Sequence, residues 1–292
     1  ERFMQGTRLY FKRHDGEAAT TEDFVTAIVE GACSDGQALG FDPDQFCRWY
    51  HQAGTPRVTV GSQWNGEEGR LTLTLEQITA PTPGQPEKLP LVIPVLWAAL
   101  QPNGRPGKER LLVLDQQRQT VVIEGLPPAA NPPVLSLFRN FSAPVTWDAG
   151  QSTDELFALF AGDDDAFARW DAGQQLWKQL MLARAAGTPA LALETRMLEA
   201  LRQLLSEQGE KDPAVLATLL AFPGQAELEA LQTEADPPAL ERAACELRAH
   251  LGSQLASLLQ ARLNSVASGL EQLWPAGQGE RQLTGLIWSW LA

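Results

Sequence analysis

Residues 71–75 read Leu-Thr-Leu-Thr-Leu and alternate strictly between apolar and polar side chains. Because successive side chains of a β-strand point to opposite faces, this alternation puts all three leucines on one face of a half-buried strand. The stretch therefore predicts a β-strand and places a β-rich region in the middle part of the chain.

Four further strands are predicted downstream of this one, at residues 91–100, 110–114, 120–123 and 134–138. Turn-forming residues separate them, at 81–84 (Pro-Thr-Pro-Gly), 102–104 (Pro-Asn-Gly), 127–128 and 132–133 (Pro-Pro). Short strands without intervening helices predict an antiparallel, Ig-like β-sandwich over residues 55–146. Pro94 falls inside one predicted strand and indicates a sheet edge or a bulge there.

Residues 1–54 are predicted to be helical. A first helix covers residues 3–14 and ends at Asp15 and Gly16. Thr20 and Asp23 have the spacing of a variant capping box ahead of a second helix. Pro43 stands at the first position of a third helix, whose aromatic residues are Phe46, Trp49 and Tyr50.

Residues 147–292 return to a helical pattern rich in Ala, Leu and Gln. Helices are predicted at 153–160, 167–185, 191–207, 214–220, 227–231, 240–274 and 283–291. Pairs of such helices joined by short turns predict an α-solenoid-like domain. Tryptophans at helical spacing are predicted to lie in its core: Trp170, Trp177, Trp274, Trp288 and Trp290.

The composition limits the classes of function. The formal net charge of −13 disfavours binding to nucleic acid or to an anionic membrane, since both repel an acidic surface. The sequence shows neither a signal peptide nor an apolar run near 18 residues. Three cysteines leave one unpaired under any disulfide pairing, which favours a reducing, cytoplasmic location. Cys33, Cys47 and Cys245 are predicted to be small buried apolar residues.

The histidines predict that the chain holds no zinc site. No two of His14, His51 and His250 are four residues apart, so no helix can present an HExxH pair to one metal ion. His14 is expected to interact with the dipole at the C-terminal end of its helix.

Motifs for other chemistry are also weak, and no catalytic residue is assigned. Ser142 lies in Phe-Ser-Ala-Pro rather than in a nucleophile elbow. Cys33 or Cys47 paired with His51 remains a minor alternative. The Asp163-Asp164-Asp165 run lacks the spacing of an EF-hand loop and is expected to be a solvated loop that caps the helix starting near Phe167.

Both ends of the sequence are predicted to be cut. Glu1 already belongs to a helical pattern, and the last residues form an amphipathic helix without a cap or a polar tail. The chain is therefore expected to be a fragment of a longer protein.

Several stretches resemble the alanyl aminopeptidases of the aminopeptidase N family of zinc metallopeptidases. The resemblance rests on Leu-Tyr-Phe-Lys-Arg-His-Asp-Gly (9–16), Ala-Ala-Thr-Thr-Glu-Asp-Phe (18–24), Phe-Cys-Arg-Trp-Tyr (46–50), Gly-Thr-Pro-Arg-Val-Thr-Val (54–60), Phe-Arg-Asn-Phe-Ser-Ala-Pro-Val (138–145) and residues 165–174. It extends over most of the chain and thins after about residue 185.

This resemblance implies a multi-domain arrangement of α, all-β and α parts. Residues 1–54 would be the C-terminal helices of a thermolysin-like catalytic domain, 55–146 the Ig-like sandwich, and 147–292 the first part of the C-terminal helical domain. The missing catalytic domain would pack on residues 1–54 and on the sandwich. The zinc ligands and the catalytic Tyr would lie upstream of Glu1, since Tyr10 and Tyr50 do not match the context of that Tyr.

On this reading the chain is a non-catalytic scaffold of a zinc aminopeptidase that cleaves N-terminal residues from peptides. It would bind no metal itself, and its substrate-binding residues stay unassigned. Two alternatives remain. One is a free-standing sandwich and helical module that binds a protein partner, and the other is an enzyme whose site lies wholly inside this chain.

Overall fold

The computed structural model describes residues 1–34, 36, 38–101, 104–188, 190–206, 209–271 and 275–292, without the side chain of Ser268. The chain divides into two compact units. The first unit comprises Glu1–Ala98 and Lys108–Gln151, and the second comprises Ala99–Gly107 and Ser152–Ala292. Within the described residues, no helix combines the length and the apolar character that crossing a membrane requires.

The first unit begins with four helices: α1 (Arg2–His14), α2 (Thr21–Ala32), α3 (Pro43–Phe46) and α4 (Arg48–His51). The predicted capping box is confirmed, because the Thr20 hydroxyl accepts from the Asp23 amide and the Asp23 carboxylate accepts from the Thr20 amide. Pro43 occupies the first turn of α3 as predicted. The single helix predicted after Pro43 is instead two short helices that meet at Cys47.

Helices α1 and α2 cross in direct backbone contact at two glycines. A Cβ atom added to Gly31 would lie 2.4 Å from the Cα atom of Gly6. A Cβ atom added to Gly6 would lie 2.5 Å from the Cα atom of Ile28. The close approach therefore depends on the absence of a side chain at both glycine positions.

The sandwich of the first unit has a four-stranded and a three-stranded sheet. The first sheet has the order β5 (Arg118–Ile123), β2 (Arg70–Thr79), β1 (Pro56–Asn65), β7 (Thr146–Asp148). The second has the order β4 (Arg110–Leu114), β3 (Ile93–Ala99), β6 (Leu135–Leu137). Leu71, Leu73 and Leu75 are fully buried on one face of β2, so the alternating stretch forms the predicted strand.

Three details of the sandwich differ from the sequence prediction. Strands β1 and β7 were not predicted, and they pair in parallel, with Val58 opposite Trp147. The prediction of a sheet edge or a bulge at Pro94 is wrong, because β3 lies between β4 and β6 and pairs residue for residue with β4 around Pro94. Pro94 is the second residue of β3, and proline is tolerated near the start of a strand, where its missing N–H disturbs the ladder least.

Gly69, in the turn between β1 and β2, gives a testable position. Its φ is +60°, and an added Cβ would lie 2.0 Å from the Leu126 carbonyl oxygen. We expect Gly69→Ala to lower the free energy of unfolding by about 2 kcal/mol, because backbone strain and a steric clash add together. Gly125→Ala is the matched control, since its φ is +75° but open space surrounds it. Equal losses in urea unfolding would contradict the steric part of the prediction.

The second unit contains seven helices in the described residues: α5 (Thr153–Gly162), α6 (Ala166–Ala185), α7 (Leu191–Leu205), α8 (Pro213–Leu220), α9 (Gln225–Glu229), α10 (Pro237–Val266) and α11 (Gln278–Leu291). A helix is present at each predicted place, with most bounds shifted by a few residues. The single helix predicted over 240–274 is too long, because α10 ends at Val266 and a short 3-10 helix, Ala267–Gly269, follows it. The predicted ends at Glu207 and Trp274 lie outside the described residues.

Tryptophans hold the core of the second unit, though not all five that were predicted. Trp177 is fully buried and contacts Phe222, with ring centroids 4.8 Å apart, and Trp290, at 6.1 Å. Trp288 is 60% exposed, so its predicted burial is wrong. Two residues along a helix are roughly 200° apart around its axis, so α11 can bury only one of Trp288 and Trp290. Trp170 is partly buried, and Trp274 lies outside the described residues.

Candidate functional site

The three histidines lie apart and have separate partners. His14 is in the last turn of α1, where its ring lies 5.4 Å from that of Tyr10. His51 Nε2 lies 3.2 Å from Glu22 Oε1, and His250 Nε2 lies 3.3 Å from Glu194 Oε1. Across the described ranges, no three His, Cys, Asp or Glu side chains are grouped so that they could hold a metal ion.

His250 belongs to a charged cluster that connects α6, α7 and α10. The Arg184 guanidinium donates to both carboxylate oxygens of Glu194, at 3.1 and 2.8 Å. Arg184 also lies 3.5 Å from Glu246 on α10. Glu194 is buried, and its carboxylate is bound by the Arg184 guanidinium and the His250 ring. The cluster therefore holds three helices together and offers no free carboxylate.

The cysteines are not the buried apolar residues that were predicted. Cys33 and Cys47 are partly exposed and Cys245 is exposed. Burial raises the pKa of the Cys47 thiol, and the carboxylates of Asp44 and Glu22 raise it further. A nucleophilic cysteine needs a lowered pKa, so the surroundings of Cys47 disfavour the Cys–His alternative.

Ser142 has a structural contact. Its Oγ accepts a hydrogen bond from the Leu96 amide of β3 at 3.1 Å. The stretch before it carries three non-glycine residues in the left-handed region: Phe138, Asn140 and Phe141, with φ near +50°. The Phe-Ser-Ala-Pro motif therefore shapes the connection from β6 to β7, since Ser142 binds this strained stretch to β3.

The aspartate run caps a helix, but it is only partly solvated. Asp165 is the N-cap of α6 and accepts from the Ala168 amide at 2.8 Å, as expected. Asp163 is 5% exposed, so the prediction of a fully solvated loop is wrong for this residue. Its Oδ1 accepts from the Asp165 amide at 2.9 Å, which orders the turn ahead of α6.

A cleft of about 710 Å³ lies beside this turn, within the second unit. Its walls come from the 104–106 loop, α5, α6, α7 and residues 209–211. Six charged residues line it: Arg105, Asp163, Asp164, Arg169, Glu210 and Lys211. The cleft brings these charged groups together in one concave surface, and it is the candidate functional site.

An ion pair between Arg169 and Glu210 lies in the wall of the cleft. Both side chains are largely buried, at 12% and 16% exposed, and they form a short charge-assisted hydrogen bond. The Arg169 Nε donates to the Phe160 carbonyl oxygen at 3.2 Å, and backbone amides of Lys211 and Asp212 donate to Glu210. The pair thus fixes the 209–212 segment to the start of α6.

The electrostatics of Glu210 favour a structural role. Burial by itself raises the pKa of this carboxyl, but the Asp212 amide, the Arg169 guanidinium and the Lys211 amide together hold the pKa below its ordinary value. A general base that works near neutral pH needs a pKa near 7. The pKa of Glu210 is shifted in the opposite direction, downward, and its negative charge binds Arg169.

The pKa of Asp171 on α6 is shifted in the other direction, upward. Burial raises its pKa, and the Glu227 carboxylate adds to this, while the Gln175 side chain and Lys178 oppose it. Gln175 Nε2 donates to Asp171 Oδ2 at 2.8 Å, and Lys178 pairs with Glu227 at 2.5 Å. Such a shift can mark a catalytic acid, but Asp171 is not among the residues that line the cleft.

A second polar network joins the helices of the first unit to the sandwich. The Gln45 and Arg48 side chains donate to the Pro90 carbonyl at 3.2 and 2.7 Å, and Gln45 also donates to the Asp115 carbonyl at 2.5 Å. The Trp49 indole donates to the Val92 carbonyl at 2.8 Å. These bonds give hydrogen-bond donors to backbone carbonyl groups beside the ends of β3 and β4, and they fix α3 and α4 against the sandwich.

Neither the Arg169–Glu210 pair nor the α3–α4 network was identified from the sequence. Arg169 and Glu210 are 41 residues apart, and no motif of fixed spacing connects them. Lys211 and Glu210 precede the Asp212 cap of α8, which is a recognisable signal for a helix start but not for an ion pair.

Comparisons with known proteins match both halves of the chain. Residues 54–150 match a domain of unknown function described as having an Ig-like fold, and residues 153–292 match one described as ARM repeats. Aminopeptidase N of Caulobacter vibrioides is 42% identical over 259 residues, covering 88% of this chain and 29% of that protein. Aminopeptidase N of Escherichia coli is 36% identical over 277 residues, covering 91% of this chain and 30% of that protein.

A solved structure gives the same relationship. The crystal structure of Legionella pneumophila aminopeptidase A in complex with aspartic acid matches with a TM-score of 0.80 and 25% identity. The match covers the whole of this chain and 33% of that chain. The chain thus spans about three tenths of the length of its curated relatives. The predicted order of an Ig-like sandwich followed by solenoid-like helices is confirmed, while the domain boundaries at 54 and 146 stay predictions.

Proposed function

Because this chain belongs to the aminopeptidase N family, we propose that it is the non-catalytic scaffold of a zinc-dependent aminopeptidase that removes N-terminal residues from peptides. The observation that carries the proposal is the 42% identity to aminopeptidase N of Caulobacter vibrioides over 88% of this chain. The aligned part amounts to 29% of that protein, and the activity is assigned to the remaining length of the polypeptide.

The zinc is assigned to the catalytic part and to no residue of this chain. The described His, Cys, Asp and Glu residues do not group as a metal site, so the donor set here does not fit the ion. The residues of this chain instead provide rigid support. The α3–α4 network fixes the helices to the sandwich, and the Arg169–Glu210 pair fixes the 209–212 segment to the start of α6 in the helical unit.

The outward side of α1 supports a contact with the catalytic part. Phe3, Met4 and Phe11 are each more than half exposed, although α1 packs on α2 through Gly6. Large apolar side chains grouped on one helix face are typical of a surface that another element covers. We propose that the catalytic part covers them. A cytoplasmic location is part of the same proposal, supported by the odd number of cysteines.

The test uses the full-length protein encoded by the natural gene. We expect the purified protein to contain about one zinc per chain, since one zinc ion is sufficient to activate the attacking water. Hydrolysis of an alanine anilide should disappear with a chelator and return with added zinc. A natural gene product of only 31.9 kDa without activity would instead support the interaction-module alternative. Hydrolysis by the full-length protein that survives metal removal would contradict the zinc assignment.

A further inference from the structure

Strand β5 forms one edge of the four-stranded sheet, since among the described residues it pairs only with β2. The Gln77 amide donates to the Gln117 carbonyl oxygen at 2.9 Å, just before β5 begins. Hydrogen-bonded pairs alternate along an antiparallel ladder, so every second residue after Gln117 directs its backbone at β2: Gln119, Val121 and Ile123. The backbone N–H and C=O groups of the residues between them face away from the sheet, and these residues are Arg118, Thr120 and Val122.

This edge lacks most of the features that protect a free strand. β5 is six residues long, whereas the other edge strands, β4, β6 and β7, have five, three and three residues. It contains no proline, and it pairs with β2 residue for residue, without a bulge. Thr120 is exposed, and Val122 is 55% exposed. Because short strands, prolines and bulges normally block pairing at an edge, the edge of β5 is open to another strand.

The charges of this edge lie at its two ends and have opposite signs. Arg118 begins β5, and Glu124 directly follows Ile123, the last residue of the strand. Both charged residues are exposed, and no ion pair within the described part of the chain includes either of them. Glu76 of β2 lies opposite Arg118 in the ladder, but it too forms no ion pair there. The edge therefore presents a cation and an anion that an added strand can pair.

A second copy of β5, running antiparallel, matches both the backbone and the charges. When Thr120 lies opposite Val122 of the second copy, Arg118 lies opposite Glu124 of the second copy. These positions all direct their backbone outward once the alternation continues to Glu124, so each pair can exchange two hydrogen bonds. The neighbouring registers put Glu124 opposite Gln116 or Thr120 and leave both charges unpaired. Two-fold symmetry makes each favourable contact occur twice.

We propose that the open edge of β5 pairs antiparallel with β5 of a second copy of the protein, so that two four-stranded sheets join across a two-fold axis. The pairing concerns the sandwich alone and does not rest on the proposed function. Residues 120–123 are all β-branched and suit the extended backbone that such pairing needs. One pair of strands buries less area than a standard interface, so we expect a reversible dimer with a dissociation constant in the micromolar range.

The experiment measures the dimer fraction of the full-length protein by sedimentation equilibrium over a range of concentrations. We expect Arg118→Glu and Glu124→Arg each to weaken the dimer about 30-fold, because the two-fold axis turns two ion pairs into two like-charge pairs. An equimolar mixture of the two variants should form a heterodimer of nearly native affinity, since opposite charges then meet again at both ends of the paired strands. Glu87→Arg, an exposed charge reversal in the loop between β2 and β3, is the matched control and should leave the dimer unchanged.

A full-length protein that stays monomeric well above the micromolar range would overturn the inference. Variants that dimerise like the native protein, or a mixture that does not recover the dimer, would overturn it as well. Hydrogen exchange of the Thr120 and Val122 amides tests the edge without any substitution, and the Val121 amide, which faces β2, is the internal reference. We expect the protection of Thr120 and Val122 to rise with protein concentration. Protection that is independent of concentration would show that another segment of the same polypeptide occupies the edge, and it too would overturn the inference.

Discussion

Replacing Arg169 by methionine is expected to lower the free energy of unfolding of the helical unit by about 3–5 kcal/mol, because a buried carboxylate loses its cation. The Arg169 and Glu210 side chains are only 12% and 16% exposed, so water cannot replace the lost partner well. The substitution also removes the bond to the Phe160 carbonyl at the end of α5, while the methionine keeps most of the apolar stem. Urea unfolding followed by circular dichroism measures the loss.

Arg13→Met is the matched control for this prediction. Arg13 pairs with Glu30 at 2.6 Å, but the two side chains are 43% and 47% exposed. A surface pair of this kind contributes at most about 1 kcal/mol. Adding Glu210→Gln to Arg169→Met should recover part of the loss, since the uncompensated charge is then absent. Equal losses for Arg169→Met and Arg13→Met would contradict the assigned role of burial.

The same pair predicts a dependence of stability on pH. The pKa of Glu210 is lower in the folded protein than its ordinary value, so the folded state binds this proton less tightly than the unfolded state. Its stabilising contribution is therefore present above the ordinary pKa and is lost as the pH falls through the folded value. Asp171 has a raised pKa and changes stability in the opposite sense. The part of the loss of stability on acidification that Glu210 causes should be absent from the Glu210→Gln variant.

Local signals in the sequence predicted much of the fold correctly. The Thr20–Asp23 capping box, Pro43 at a helix start and the alternating leucines of β2 each act within a few residues, so neighbours along the chain are sufficient to reveal them. Strand β7 is only three residues long and pairs in parallel with a segment about 90 residues away. Its partner β1 buries Pro56, Val58 and Val60, and the rest of the strand is mostly polar. The alternating apolar pattern of β1 is therefore weak.

The candidate site could not be predicted because its interactions are non-local. In the sequence Arg169 is an ordinary charged residue near the start of α6, and only the return of the chain at 209–212 brings Glu210 to it. The Asp163 to Asp165 run has the composition of a solvated loop, yet the turn ahead of α6 buries the first of the three residues. Burial of a polar group in such a place depends on the tertiary packing of several helices, for which the sequence carries no local pattern.

Gly31→Ala is expected to lower the free energy of unfolding by about 3 kcal/mol, at the upper end of the cost of overpacking. The added methyl group would lie 2.4 and 2.5 Å from Gly6 Cα and N, which are backbone atoms and cannot rotate away. Helix α1 must therefore shift away from α2. Hydrogen exchange of the α1 amides, together with urea unfolding, measures the effect. Gly285→Ala in α11 makes the same chemical change in open space, and it should instead stabilise by about 1 kcal/mol through helix propensity. Changes of the same sign at Gly31 and Gly285 would show that the α1–α2 crossing does not depend on backbone contact.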